Sequence, residues 1–169
     1  MNESKLDVKK RAVIEIAENL FLSQGLATTE MKEIARCASI SRSTLYRMFD
    51  SRETLAFAVA DKCLHELFDP KPMEIYGTDR SGFEILRSYS SNLIETMIQG
   101  VRYVKYLSEF DQMFSGDYPD TPEARKYVQF NRQRHDRQIL LNILRLGTED
   151  GSIRGDIDAN MLELTIGNT

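Results

Sequence analysis

IARCASISRSTLYRMF, residues 34–49, carries two short helical patterns separated by a knuckle at Ile40. Ile34, Ala35 and Ala38 are small or apolar where two helices would cross, so their backbones can approach. Ile40 plugs the turn, and Ser41 offers a side-chain oxygen to cap the next helix. Leu45 and Phe49, four residues apart, share its inner face. With those inside, Arg42, Ser43, Thr44, Tyr46 and Arg47 fall on the outer surface. A soluble helix pair has no need of that cluster, whereas a helix entering a DNA groove does. Arginine bonds guanine bidentately, Ser and Thr reach base edges or phosphate, and a Tyr hydroxyl reaches phosphate. The parts are those of a helix-turn-helix.

The flanks are helical too. Ile14, Ala17, Leu20 and Phe21 mark one face of a first helix ending near Gly25. Thr28 or Thr29 is placed to cap the second helix, and Thr29 is also a candidate DNA contact. Asp50, with Glu53 three residues on, has the spacing of a capping box. It would open a fourth helix through Leu55, Val59, Leu64 and Leu67, broken by Asp69-Pro70-Lys71-Pro72. Arg52 sits in the first turn of that helix. A cation there opposes the dipole, at a cost of about 0.3–1 kcal/mol. A guanidinium beside free N–H groups nevertheless makes a phosphate seat.

After a turn at Gly77-Thr78-Asp79, the spacing predicts a helix through Phe83, Leu86, Tyr89, Leu93 and Met97 to Gly100. Another runs through Val101, Val104, Leu107, Phe110 and Phe114. Beyond the loop 115–119, Thr121 caps a long helix with Pro122 at its first position and Gly147 past its end. A turn at Asp150-Gly151-Ser152 leads to a final pattern from near Asp158, with Met161, Leu162, Leu164 and Ile166. That pattern stops at Thr169, and the expectation is a chain shorter than the full gene product.

The end of the long helix, Ile139 to Leu146, is apolar over more than one face and must bury two sides. One side suits its own domain and the other a second subunit. Ile139, Leu140, Ile143, Leu144, Met161 and Leu162 are therefore candidates for a homodimer interface, a fully internal helix being the alternative. Met97, Tyr103, Tyr106, Phe110, Met113 and Phe114 are candidates to line a pocket for an apolar or aromatic small molecule, and equally suit plain core. His65 and His135 are isolated in sequence. Cys37 and Cys63 match no metal or disulfide spacing and read as small buried residues.

Composition sets the outer limits. The 169 residues are 41% apolar and 28% charged, which excludes disorder and permits a sizeable core. The net charge of −4 is unevenly shared: residues 1–60 carry +1 and residues 61–169 carry −5. Acidic proteins still bind DNA when basic groups collect on one face. No apolar run reaches the roughly 18 residues of a membrane span. Basic residues near the N-terminus are not followed by the apolar segment of a signal peptide, so a cytoplasmic protein is expected. No nucleophile motif, metal spacing or phosphate-binding glycine loop occurs, so neither enzyme activity, cofactor nor metal is expected.

The expected fold is all-α. A helix-turn-helix DNA-binding domain spans 1–50, with the motif at 30–49, and a connecting helix spans 51–68. A helical ligand-binding and dimerisation domain spans 69–169. The A-x-x-L-F run with Gly25, the Thr28-Thr29 pair, Ile34-Ala35, Ser41 to Phe49 and Ser51-Arg52-Glu53-x-Leu55 together resemble the DNA-binding domain of TetR-type transcriptional regulators, over residues 9–60. The departures are Ser39 and Ser43 for glycines usual in that family, Met48 for an aromatic or His, and Arg52 for Lys. The resemblance implies a homodimer that places two recognition helices in successive major grooves of a palindromic operator on duplex DNA. It also implies release by a small molecule bound in the larger domain. An activator or ligand-independent regulator of the same fold, and a helical interaction module that leaves DNA alone, are the alternatives.

Overall fold

A computed structural model of the chain describes residues 5–68, 79–115, 118–133, 136–156, 158 and 161, without the side chains of 133 and 136–138. The described residues are helical, with no strand among them. In chain order the helices are α1 (Lys5–Gln24), α2 (Met31–Cys37), α3 (Arg42–Met48), α4 (Arg52–Phe68), α5 (Gly82–Gln99), α6 (Val101–Met113), α7 (Pro122–Gln133) and α8 (Asp136–Glu149). They fall into two compact units that interleave in sequence. One comprises Met1–Leu67 with Gly100–Arg132, the other Phe68–Gln99 with Gln133–Thr169.

In the first unit α1 packs on α2 and α6, and α2 packs on α3. α1 ends where Gly25, at φ 95°, turns its N–H back to the Phe21 carbonyl. Glycine takes that left-handed conformation without a Cβ penalty. Glu18 of α1 forms an ion pair with Lys62 of α4, and the Glu18 side chain is almost wholly buried. Rings fill the interior. Phe21 stacks on Tyr106 at 6.0 Å, and Phe57 meets Phe110, Phe114, Tyr118 and Tyr127 at 4.8–5.7 Å between centroids. Such ring pairs add to the area term of burial.

The opening of α4 corrects the expected cap. Ser51, not Asp50, accepts from the Thr54 N–H at 3.1 Å. The cap therefore lies one residue later and works through a hydroxyl. The expected break at 69–72 and the turn residues 77 and 78 lie outside the described residues.

In the second unit α5 packs on α8. Ile85 and Ile143 form its buried centre, with Leu86, Tyr89, Ile139 and Leu146 against them. The buried stripe of α5 thus runs through Ile85 rather than Phe83, which is exposed, as is Met97. Gly82 explains how close the two helices come. A Cβ on Gly82 would stand 2.3 Å from the Gly147 backbone. Gly147 therefore does not follow a helix end as expected. It lies inside α8, which runs to Glu149; the bare Gly82 lets its backbone approach, and its own missing Cβ leaves room for Ile153. Asp150 and Ser152 then accept from the Gly82 and Phe83 N–H groups at 2.7 and 3.0 Å, capping α5.

The single helix expected from 122 to 146 is assigned as α7 and α8, with 134 and 135 (including His135) outside the described residues. Thr121 caps α7 as expected, accepting from the Ala124 N–H at 3.2 Å. The proposed interface residues need correction. Leu140, Ile143 and Leu144 are buried within a single chain, and Ile139 packs on the Ile85–Ile143 pair. Those four side chains satisfy the apolar faces of α8 internally. Met161 is exposed, and Leu162 lies outside the described residues, as do Leu164 and Ile166.

Candidate nucleic-acid interface

Helices α2 and α3 have only seven residues each, too short to be stable alone. Their ends and their burial hold them. At the end of α2 the Ser39 N–H bonds the Arg36 carbonyl at 3.1 Å, and the Ile40 N–H bonds the Ala35 carbonyl at 3.0 Å. These are the paired bonds of a Schellman turn, which needs a left-handed residue between them. Ser39 is that residue, with φ 52°. The turn therefore keeps the shape that glycine ordinarily provides, with a serine under strain. Ile40, half-buried, follows it.

Ser41 opens α3 from an extended conformation, and its hydroxyl accepts from the Thr44 N–H at 3.1 Å. The same oxygen lies 2.9 Å from Ser43 Oγ and 2.8 Å from Thr44 Oγ1. Leu45, Met48 and Phe49 are buried beneath the helix. Met48 is thus a core side chain, which accounts for an apolar residue at that departure. Arg42, Ser43, Tyr46 and Arg47 stand on the opposite side, exposed, with Thr44 half-buried at the edge. Tyr46 leaves 43% of its surface to solvent. Nearby acids on α2 have their own cations: Glu30 lies 2.8 Å from Lys32, and Glu33 lies 3.9 Å from Arg36. The Lys32 bond holds the Glu30 carboxyl below its usual range, helped by Arg42.

Two other candidates are placed differently from the sequence expectation. Thr29 does not cap α2, whose N-cap is Glu30, and it is not exposed. Its side chain is 0% accessible and its hydroxyl donates to the Gly25 carbonyl at 2.8 Å. Thr28 likewise turns back, donating to Gln24 O at 2.6 Å. Both hydroxyls tie the α1–α2 loop, Thr28 from an exposed position and Thr29 from a buried one. Arg52 is half-buried, and its Nη1 donates to the Ala27 carbonyl at 3.1 Å. Its Nη2 lies 3.9 Å from Glu53. With five donors, the guanidinium keeps some for another partner.

Sequence reasoning missed several supports of this head. Lys10 of α1 lies 5.3 Å from the centroid of the Phe49 ring and 3.7 Å from Glu123 of α7. Glu109 of α6 accepts from the Leu26 and Ala27 N–H groups. No local signal announces such pairs, because their members lie far apart in the chain.

Of the pocket candidates, Tyr106, Phe110 and Phe114 lie together in the ring-filled interior of the first unit. Tyr106 is buried and its hydroxyl donates to the Ala56 carbonyl at 2.9 Å. That burial pushes the phenol well above its ordinary pKa. Phe110 lies 4.8 Å from Phe114 and 5.2 Å from Tyr127, so these rings pack on one another. Tyr103 carries the Arg102 guanidinium 4.7 Å from its ring centroid. Met113 is exposed, and Met97 belongs to the other unit. Of the cysteines, Cys63 is buried and its thiol is pushed up to about 12, whereas Cys37, expected inside, is exposed on α2. Among the described residues, no helix is long and apolar enough to cross a membrane.

A capped helix pair with a basic, hydroxyl-bearing outer face defines a helix-turn-helix DNA-binding protein. Residues 13–59 match the family described as bacterial regulatory proteins, tetR family. Over those residues the chain carries the DNA-binding domain of TetR-type transcriptional regulators. It is 28% identical over 157 residues to the HTH-type transcriptional repressor KstR2 of Rhodococcus jostii, covering 90% of this chain and 72% of that one. It is 50% identical over 46 residues to an HTH-type transcriptional regulator of Mycobacterium tuberculosis, a match that covers 27% of this chain and 23% of the relative. The solved structure of the ketosteroid transcriptional regulator KstR2 of Mycobacterium tuberculosis shares the fold, with a TM-score of 0.60 and 22% identity over 98% of this chain and 79% of that one.

Proposed function

We propose that the chain is a repressor that binds a palindromic operator as a homodimer and leaves it when a small apolar or aromatic molecule binds. The observation that carries the reading is the outer face of α3, where Arg42, Ser43, Tyr46 and Arg47 stand exposed on a helix anchored by Leu45, Met48 and Phe49. Arg42 and Arg47 read guanine edges in the major groove, while Ser43, Thr44, Tyr46 and the free donors of Arg52 meet base edges or phosphate. The repressor sense is supported by the name of the Rhodococcus relative. Dimerisation follows from operator symmetry, since two-fold half-sites need two heads.

Selection of duplexes from a random pool at near-physiological salt tests this reading. A palindrome with half-sites about one helical turn apart is expected, bound by a species that sediments as a dimer. Recovery of no sequence by folded protein would sink it. With the operator in hand, the same duplex serves to screen for the molecule that releases it.

A further inference from the structure

The loop between α1 and α2 is held from two sides by groups distant in sequence. Glu109 Oε1 of α6 accepts from the Leu26 N–H at 3.0 Å and from the Ala27 N–H at 3.3 Å. From α4, Arg52 Nη1 donates to the Ala27 carbonyl at 3.1 Å. An anion thus meets two backbone donors, and a cation meets the carbonyl that follows them. Both are charge-assisted bonds, the stronger kind. The loop is also tied to the end of α1. It starts at Gly25 with φ 95°, where a Cβ would stand 3.5 Å from Glu109 Oε1, and Leu26 is fully buried. Thr28 and Thr29 fasten it to the carbonyls of Gln24 and Gly25. α2 begins at Met31, and the Schellman turn at its end sets the direction of α3.

We infer that Glu109 is a positioning residue for DNA recognition, which aims the α2–α3 pair by holding the Leu26 and Ala27 amides of the preceding loop. The inference rests on the DNA-binding reading above. Glu109 acts with Arg52 as a clamp on one peptide segment, so Arg52 has a positional task beside its phosphate contact. Removing the carboxylate leaves two donors without their partner, and the loop relaxes toward other acceptors. The contacts to phosphate on α3 and α4 are not themselves removed.

The test uses the full chain with Glu109→Ala and Glu109→Gln, the selected operator, and a random-sequence duplex. For the alanine variant, operator affinity is expected to fall about tenfold or more, as for a lost charge-assisted bond. Affinity for the random duplex should stay within about twofold, because phosphate contacts supply it. Amide exchange at Leu26 and Ala27 should quicken while that of the α3 amides does not. Glutamine keeps an acceptor oxygen and should recover most of the operator affinity. Unchanged operator affinity in the alanine variant, unchanged exchange at both amides, or a glutamine variant as weak as alanine would each overturn the inference. Should the alanine variant not fold, Glu109→Asp, whose carboxylate is drawn back by one methylene, takes its place with the same expectations. If the unaltered chain selects no operator, the DNA-binding reading fails. Amide exchange would then still show whether the clamp exists, and a clamp without an operator overturns its positional role.

Discussion

The α2–α3 pair and the α5–α8 pair solve the same problem, joining two helices, by different means. α2 and α3 are short, and they are joined by end chemistry: the left-handed Ser39, the Ser41 cap, and a few buried anchors. α5 and α8 are longer, and they are joined by surface contact: the bare Gly82 against the Gly147 backbone, and Ile85 against Ile143. The first arrangement leaves a whole face of α3 free for polar side chains. The second is held at a few points of close contact, and Phe83, Ile94 and Ile98 of α5 stay exposed. A short recognition helix therefore relies on its ends and its anchors, whereas the longer pair relies on close backbone approach and the Ile85–Ile143 contact.

Substitutions can break that comparison at either pair. The largest effect is expected from Leu45→Ala, which empties a fully buried site beneath α3. A loss of about 2–5 kcal/mol in urea unfolding should accompany loss of operator binding. If binding disappears with stability unchanged, Leu45 does not anchor the helix. Next comes Gly82→Ala. Its methyl would meet the Gly147 backbone, which has no side-chain end to move aside, so a cost of about 1–3 kcal/mol or more is expected. Gly147→Ala instead meets the Ile153 side chain, which must shift but is not backbone, and it offsets part of that cost with a gain in helix propensity of up to about 1 kcal/mol. Thermal unfolding should show it markedly milder than Gly82→Ala, and the reverse order would refute the close-approach account.

These predictions also mark how far the sequence could be read. The Ser41 cap, the Leu45 and Phe49 anchors, and the exposed arginines were legible because each depends on neighbours within about one helical turn. The strain at Ser39 was visible as a departure from glycine. The misplacements have physical causes. Thr28, Thr29 and Ser51 are all capping residues within a few positions of a helix start, and composition does not say which oxygen turns which way. Ile139, Leu140, Ile143 and Leu144 read as a surface for a partner because apolar periodicity reports burial without naming what covers it. Glu109 and Glu123 were invisible as supports of the head, since an exposed-looking acid gives no sign of a partner about eighty or a hundred residues away.

Smaller effects sharpen the picture of the ends. Ser41→Ala removes the cap of α3 and should cost about 1 kcal/mol, with weaker operator binding. A thermal melt identical to that of the unaltered chain would show that the cap adds nothing. Ser39→Gly is expected to act in the other direction. Relief of the left-handed strain should stabilise the head by up to about 1 kcal/mol, read as a rise in melting temperature. A fall would mean that the Ser39 conformation differs from φ 52°.

The most direct measurement of the central claim is binding of Arg47→Ala to the selected operator and to its single base-pair variants. If the outer face of α3 reads bases, the variant should lose about 1–3 kcal/mol on the operator and become indifferent at one base pair, keeping its preference elsewhere. A uniform loss on every duplex, with no position relaxed, would contradict base reading by α3.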